Sequence, residues 1–266
     1  MPSLLMCDPL NFGVQYEINP WMSHQIGAVD SAQARTQWHA LHGLLSSLTS
    51  VAVMPSVPGW PDLVFTANAG LIVPGERRVI LSTFRHPERK GELPLNRAWF
   101  EAHGWQVETL KDVAFEGAGD ALFDTEGRLW VAEGPRTDQG VLSQLQASVG
   151  STTIGLKLVD PRYYHLDTCF CPMPRGFALA NLTAFDQASQ DWLTFAFQDK
   201  LIPLTEEESA WFCGNAVFVE NVAVMNRCTP RLRSVLAERG FLTLTTPLSE
   251  FIKSGGSAKC LTLALG

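Results

Sequence analysis

Apolar and polar positions along the chain recur in one order. Five stretches carry apolar residues three and four apart, the spacing of a single helix face: "SAQARTQWHALHGLLSSL", "LNRAWFEAHG", "TDQGVLSQLQASVG", "QASQDWLTFAFQ" and "PRLRSVLAERG". Three of them end in glycine, a helix-stop signal. A short run rich in β-branched or aromatic residues follows each: "VAVMP", "WQVETL", "TIGLKLV", "KLIPL" and "FLTLTTP". These read as strands.

After each strand comes a loop, then a second apolar run. The loops close at "FTAN", "EGAGD", "YYHLD", "FCGN" and "SAKC", so Asn68, Asp120, Asp167, Asn215 and Cys260 stand before a strand at intervals of 45 to 52 residues. Three units continue as hairpins, turning at Asp124 to Gly127, at Pro172 to Gly176 and near Asn221. Hairpin, helix and returning strand, five times over, predict a ring of α/β units with helices outside. The ring forms one domain, residues 1–266. Closing it brings the five loop ends to one pocket on the axis.

Composition narrows the partners. With 46% apolar and 18% charged residues the chain is an ordinary globular one. A net charge of −7 opposes nucleic-acid binding and suits a cationic small molecule. "MPSLLMCDP" lacks a basic leader, and no apolar run approaches the ~18 residues of a membrane span. A cytoplasmic protein without membrane contact is expected, and its outer helices offer a surface for a homo-oligomer. Six irregularly spaced cysteines without a C-x-x-C pair suggest neither a disulfide framework nor a zinc site. Cys7, Cys169, Cys171, Cys213 and Cys228 read as small apolar residues in strands. Cys260 differs: it follows Gly255, Gly256, Ser257 and Lys259, which favour irregular, solvent-facing backbone at the lip of the strand "LTLAL".

The pocket so predicted holds Cys260 as nucleophile, His165 as base, and the carboxylates of Glu116, Asp120 and Asp167. A cysteine with a histidine supports covalent catalysis, but thiol proteases share that pair. The extra acids discriminate, because a planar guanidinium is held by carboxylates through paired hydrogen bonds. Taken singly, each residue has a blander role. A lone histidine is commonly structural, Asp beside Gly commonly forms a turn, and Asn68 and Asn215 fit turn caps. The repeat is what predicts that they meet. Lys259, next to Cys260 along a strand, points to the opposite face and is not expected to activate the thiol.

"MCDPLNFGVQYEINPWM", "PDLVFTAN", "EGAGD", "YYHLDTCFCP" and "GGSAKC" together resemble the guanidine-modifying (amidinotransferase, or pentein) superfamily. That resemblance implies a five-bladed α/β-propeller with pseudo-fivefold repeats around a central pocket, and no metal or organic cofactor. By match, Cys260 resembles the nucleophile that forms a thiouronium adduct, and His165 the general acid/base. Glu116 completes the catalytic set. Glu116 and Asp167 resemble the carboxylates that hold the guanidinium nitrogens, with Asp120 placed beside them. Arg85 in "FRHPERKGE" and Arg136 in "EGPRTD" are candidates for the α-carboxylate clamp, Arg136 being the better match.

One residue departs from most of the superfamily. Where arginine deiminases and dimethylargininases carry aspartate, this chain has Asn68. "FTAN" and "YEINPWM" look most like the arginine dihydrolases, whose functional asparagines Asn68 and Asn19 would match. Those enzymes take arginine to ornithine, two ammonia and carbon dioxide. The alternative is a deiminase or dimethylargininase that stops at citrulline. More remote is a non-catalytic ribosome-binding protein of the same fold, which the acidic charge and the Cys260, His165 and Glu116 set oppose.

Overall fold

A computed structural model of the protein describes residues 3–266. Strand β1 (Leu4–Cys7) leads through a long loop to α1 (Ser31–Leu48) and β2 (Val51–Met54). The next unit runs β3 (Gly70–Ile72), β4 (Arg78–Leu81), a short α2 (Pro87–Lys90), α3 (Glu92–Ala102) and β5 (Gln106–Thr109). It is followed by β6 (Ala121–Phe123), β7 (Leu129–Glu133), α4 (Val141–Val149) and β8 (Thr153–Lys157). Then come β9 (Phe170–Pro172), β10 (Ala178–Ala180), α5 (Gln187–Phe197) and β11 (Leu201–Pro203). After α6 (Glu206–Ala210), β12 (Val217–Val219), β13 (Val222–Met225), α7 (Pro230–Glu238) and β14 (Leu242–Thr245) repeat the order. The chain ends with α8 (Ser249–Ile252) and β15 (Leu263–Ala264).

Every unit builds the same three-stranded sheet. Its first two strands pair antiparallel as a hairpin, and the helix returns the chain to a third strand parallel to the second. The fifth sheet has order β15-β1-β2, so Leu4 pairs with Ala264 and Leu5 with Leu263 from the other end of the chain. The helix over it starts where Asp30 accepts hydrogen bonds from the Ala32 and Gln33 amides, a cap worth about 1 kcal/mol. Its buried face is Ala34, Trp38, Leu41 and Leu45, at helical spacing.

Each middle strand is buried on both faces, which is why these segments read as continuous apolar runs. Side chains alternate along a strand, so successive residues serve different neighbours. Leu4 and Met6 of β1 pack with Val224 of β13, whereas Leu5 and Cys7 pack with Val79 and Leu81 of β4. Ile80 then meets Leu129 and Val131 of β7. Trp130 and Ala132 meet Ala178 and Ala180 of β10, and Leu179 meets Ala223 and Met225 of β13. Five apolar clusters therefore lie between successive sheets, one of them between the last sheet and the first.

Three expectations are corrected. Only Cys7 and Cys171 lie in strands; Cys169, Cys213 and Cys228 sit in turns or loops. The final strand covers just Leu263–Ala264, because Ser257 to Leu261 turn before it. The segment before Cys260 is buried rather than solvent-facing: Gly255, Gly256, Ser257 and Cys260 are all covered. A Cβ on Gly256 would lie 2.2 Å from the Phe65 ring, so glycine there answers to close packing. No helix among the described residues is long and apolar enough to cross a membrane.

Candidate active site

The inner strands β3, β6, β9, β12 and β15 are each preceded by a tight turn that exposes backbone groups to the next unit. Hydrogen bonds run from turn to turn. Asn68 Nδ2 donates to the Glu116 carbonyl (3.0 Å), and the Leu166 amide donates to Asp120 Oδ1 (3.1 Å). Asn215 Nδ2 donates to the Asp167 carbonyl (2.8 Å), and the Cys260 amide donates to Asn215 Oδ1 (3.1 Å). The Ala67 amide then donates to the Cys260 carbonyl (3.1 Å). The repeat positions found in sequence thus contact one another through main chain as well as side chain. Gly119 permits the closest approach, since a Cβ there would stand 2.3 Å from Asn68 Nδ2 and 3.4 Å from the His165 ring.

Two halves make up the cluster. In one, Glu116 Oε2 lies 2.8 Å from His165 Nε2 and 3.0 Å from Arg136 Nη1, all three side chains buried. Burial alone pushes the Glu116 carboxyl up, but Arg136, His165 and Arg89 together hold it well below the usual carboxylate range. An ionised carboxylate only accepts, so the network assigns the shared proton to His165 Nε2. Asp120 braces the histidine from behind. Its Oδ2 accepts from the Thr137 hydroxyl (2.6 Å) and lies 3.9 Å from His165 Nε2, and burial pushes its carboxyl up to about 6.

In the other half, Cys260 Sγ lies 3.5 Å from Asp167 Oδ2 and 3.7 Å from Oδ1, and accepts from Asn215 Nδ2 at 3.1 Å. Burial raises the thiol well above its ordinary value and the Asp167 charge adds to the rise. Burial likewise pushes Asp167 up to about 7, with the Lys259 charge opposing. Lys259 itself lines a neighbouring cavity with Thr262 and Leu263.

Around these halves lies a buried polar shell. Arg89 Nη1 donates to Asn68 Oδ1 (2.9 Å), while Glu92 grips the same guanidinium with both oxygens at 2.8 Å. Phe84 stacks against it, 4.7 Å from the ring centre. Burial pushes Glu92 up to about 7 against that pairing. Arg136 stacks on Tyr164 at 4.9 Å and donates to the Ile18 carbonyl (2.9 Å), and its buried Nε has no partner among the described residues. Arg85 is not brought in: its side chain is 40% exposed and pairs with Asp138, and only its backbone amide reaches Glu116 Oε1 (3.3 Å). Asn19 caps a turn, accepting from the Trp21 and Met22 amides and donating to the Ser254 carbonyl (3.1 Å). Its loop also ties down at Tyr16 to Asp62 (2.9 Å) and Trp21 to the Arg162 carbonyl (2.7 Å).

Residues 18–265 match the family described as N,N dimethylarginine dimethylhydrolase, eukaryotic. The chain belongs to this family. Among relatives of this dimethylarginine dimethylhydrolase family member, the bifunctional arginine dihydrolase/ornithine cyclodeaminase ArgZ of Synechocystis sp. is 44% identical over 263 residues, 98% of this chain. This chain spans 37% of the length of that relative and 37% of AgrE from Nostoc sp.. The dimethylarginine dimethylaminohydrolase of Mycobacterium tuberculosis is 35% identical over 261 residues, covering 98% of this chain and 84% of that one. Among solved structures, a cysteine-to-serine variant of the N-terminal domain of ArgZ bound to substrate superposes with a TM-score of 0.97 at 42% identity. It covers 100% of this chain and 98% of that one.

Sequence reasoning placed Cys260, His165, Glu116, Asp167, Asn68, Asp120 and Arg136 in one cluster, as the contacts above do. It missed Arg89 and Asp62, whose segments "HPERKGE" and "WPDLV" carry no sign of burial. Asn215 was visible as a repeat position but was given no chemical role. Among the described residues no group of three or more His, Cys, Asp or Glu is arranged to hold a metal.

Proposed function

We propose that the chain hydrolyses the guanidinium C–N bonds of arginine through a covalent Cys260 adduct, as an arginine dihydrolase. The observation that carries this reading is the buried juxtaposition of the Cys260 thiol with Asp167 and of His165 with Glu116. A guanidinium cation entering between the halves finds carboxylate on the Asp167 side. Its positive charge offsets the two influences that keep the thiol protonated, burial and Asp167. The thiolate then attacks the guanidinium carbon. His165, with Nε2 fixed by Glu116, takes the thiol proton on Nδ1 and returns it to the departing ammonia. Water adds to the thiouronium carbon and the C–S bond breaks, releasing a ureido product and the thiol. A second pass on that ureido group releases another ammonia and carbon dioxide and leaves ornithine.

Arg136, with its unpartnered Nε, suits the substrate carboxylate, and Arg85 does not. Asn68 favours the two-step reaction over one. It is neutral, and both ends of its amide are held, by Arg89 and by the Glu116 carbonyl. A ureido group is neutral too, so an uncharged contact at this point serves both passes. The kinship with dimethylarginine dimethylaminohydrolases favours a second reading, hydrolysis of methylated arginines to citrulline. We also read the five units as one closed five-bladed α/β-propeller domain, supported by the β15–β1 pairing and the turn-to-turn hydrogen bonds. The free cysteines support a cytoplasmic setting. Trp192 and Phe195, exposed on α5, support a homo-oligomer.

Products from L-arginine test the activity. Ornithine with about two ammonia per arginine supports the dihydrolase, as two rounds at one Cys–His site require. Citrulline with one nitrogen released overturns it in favour of a deiminase. Dimethylamine from dimethylarginine, with arginine untouched, overturns it in favour of the second reading.

A further inference from the structure

Asn215 is the fourth member of the repeated set, and its amide serves Cys260 and Asp167 together. Its side chain is fully buried and every polar position on it is used. One amide hydrogen goes to the Asp167 carbonyl at 2.8 Å and the other to Cys260 Sγ at 3.1 Å, while Oδ1 accepts the Cys260 amide at 3.1 Å. Asn215 thus grips Cys260 at both its backbone and its sulfur, and is pinned in that pose by the neighbouring unit.

The sulfur needs such a donor. Burial and Asp167 both disfavour the thiolate, and Asp167 Oδ2 stands 3.5 Å away as an acceptor that only a protonated thiol can satisfy. In a site this dry, a fixed N–H aimed at the sulfur stabilises the anion more than solvent does at the surface. The Oδ1 bond selects which way the amide faces. With Oδ1 held by the Cys260 N–H, the NH2 group is the end presented to sulfur.

We infer that Asn215 is a positioning residue that holds the Cys260 backbone and donates the hydrogen bond that stabilises its thiolate. This rests on Cys260 being the reactive thiol of the proposed function, but not on which guanidine is the substrate. The test is chosen accordingly. Labelling of Cys260 by iodoacetamide, followed by peptide mass spectrometry across pH, reads thiolate formation without any turnover.

Asn215→Asp keeps the acceptor for the Cys260 amide and replaces the donor with an acidic oxygen. Its labelling profile is expected to move to higher pH by about one unit or more, with labelling at pH 8 down about tenfold. Asn215→Ser, which retains a shorter donor, is expected to fall between Asp and the native residue, and circular dichroism melts establish that each variant is folded. Profiles that coincide for all three folded proteins overturn the inference, as does a shift in the serine variant equal to that of aspartate. If arginine is not turned over but the profiles separate as expected, the proposed substrate fails and the role of Asn215 stands.

Discussion

Strands β3, β6, β9, β12 and β15 join two regions that differ in chemistry. At one end, the turns before β3, β6, β9, β12 and β15 meet in a buried polar cluster. At the other end, the same strands line a cavity of about 390 Å³ walled by Leu71, Leu122, Phe170, Val217 and Leu263. Lys259 and Thr262 are among its few polar linings. An apolar wall can lose a methyl group and remain a wall, at a cost in packing. A buried polar cluster cannot lose a partner without stranding another, because each group has its hydrogen bond supplied by a neighbouring unit. The contrast teaches that one end is built for stability and the other constrains chemistry.

The sharpest break between the ends comes from Cys260→Ser. Turnover of arginine is expected to fall by at least about 1,000-fold while the thermal melt stays close to native, since serine fills nearly the same space. Melting together with loss of activity would make Cys260 a structural thiol. Phe170→Ala, at the apolar end, is expected to do the reverse. It should cost about 3–5 kcal/mol of stability in a denaturant titration and leave kcat/KM of the folded fraction within about threefold.

Acidity separates the ends further. Asp167 is ionised only above about 7. As pH falls below that value, kcat/KM is expected to drop by about tenfold per unit, because the protonated acid no longer holds a guanidinium. The stability effect has the opposite sign. Folding raises this acid above its unfolded value, so the folded state binds the proton more tightly and stability declines as pH climbs from about 4 to 7. Asp167→Asn should therefore be inactive yet more stable than the native protein at pH 8, by urea denaturation. Equal stability at that pH would contradict the raised pKa of Asp167.

The next effect is smaller. Asn68→Asp would place one oxygen on Arg89 and turn the other toward the Glu116 carbonyl that Asn68 now donates to. The ornithine-to-citrulline ratio is expected to fall by about tenfold, the worth of one charge-assisted contact. An unchanged ratio would remove Asn68 from the argument for two hydrolyses. Thr125→Ala, at the exposed rim of the apolar cavity, should change neither activity nor melting beyond about 0.5 kcal/mol. A larger effect on turnover would mean that the two ends are coupled.

The helix over Ser31–Leu48 and the strands that follow each helix were legible because local spacing alone carries their signal. The fivefold loop positions were legible for the same reason, as a period in the pattern. Boundaries were less so: "TDQG" reads as the start of a helix that begins only at Val141. Arg85 and Arg89 lie four residues apart in one polar segment, and nothing local says that the first meets solvent and the second a buried glutamate. The glycines before Cys260 read as an open loop, although here they admit Phe65 and Tyr164.

By itself the sequence determined the unit: an amphipathic helix, a hairpin, a returning strand and a polar residue before each inner strand. Those follow from periodicity and turn chemistry, which act over a few residues. Tertiary structure alone decided that β15 would pair with β1, that Asn215 would grip Cys260, and that Glu116 would ionise at far lower pH than Asp167. These depend on which groups from distant units share a dry space, and burial and charge are properties of that space.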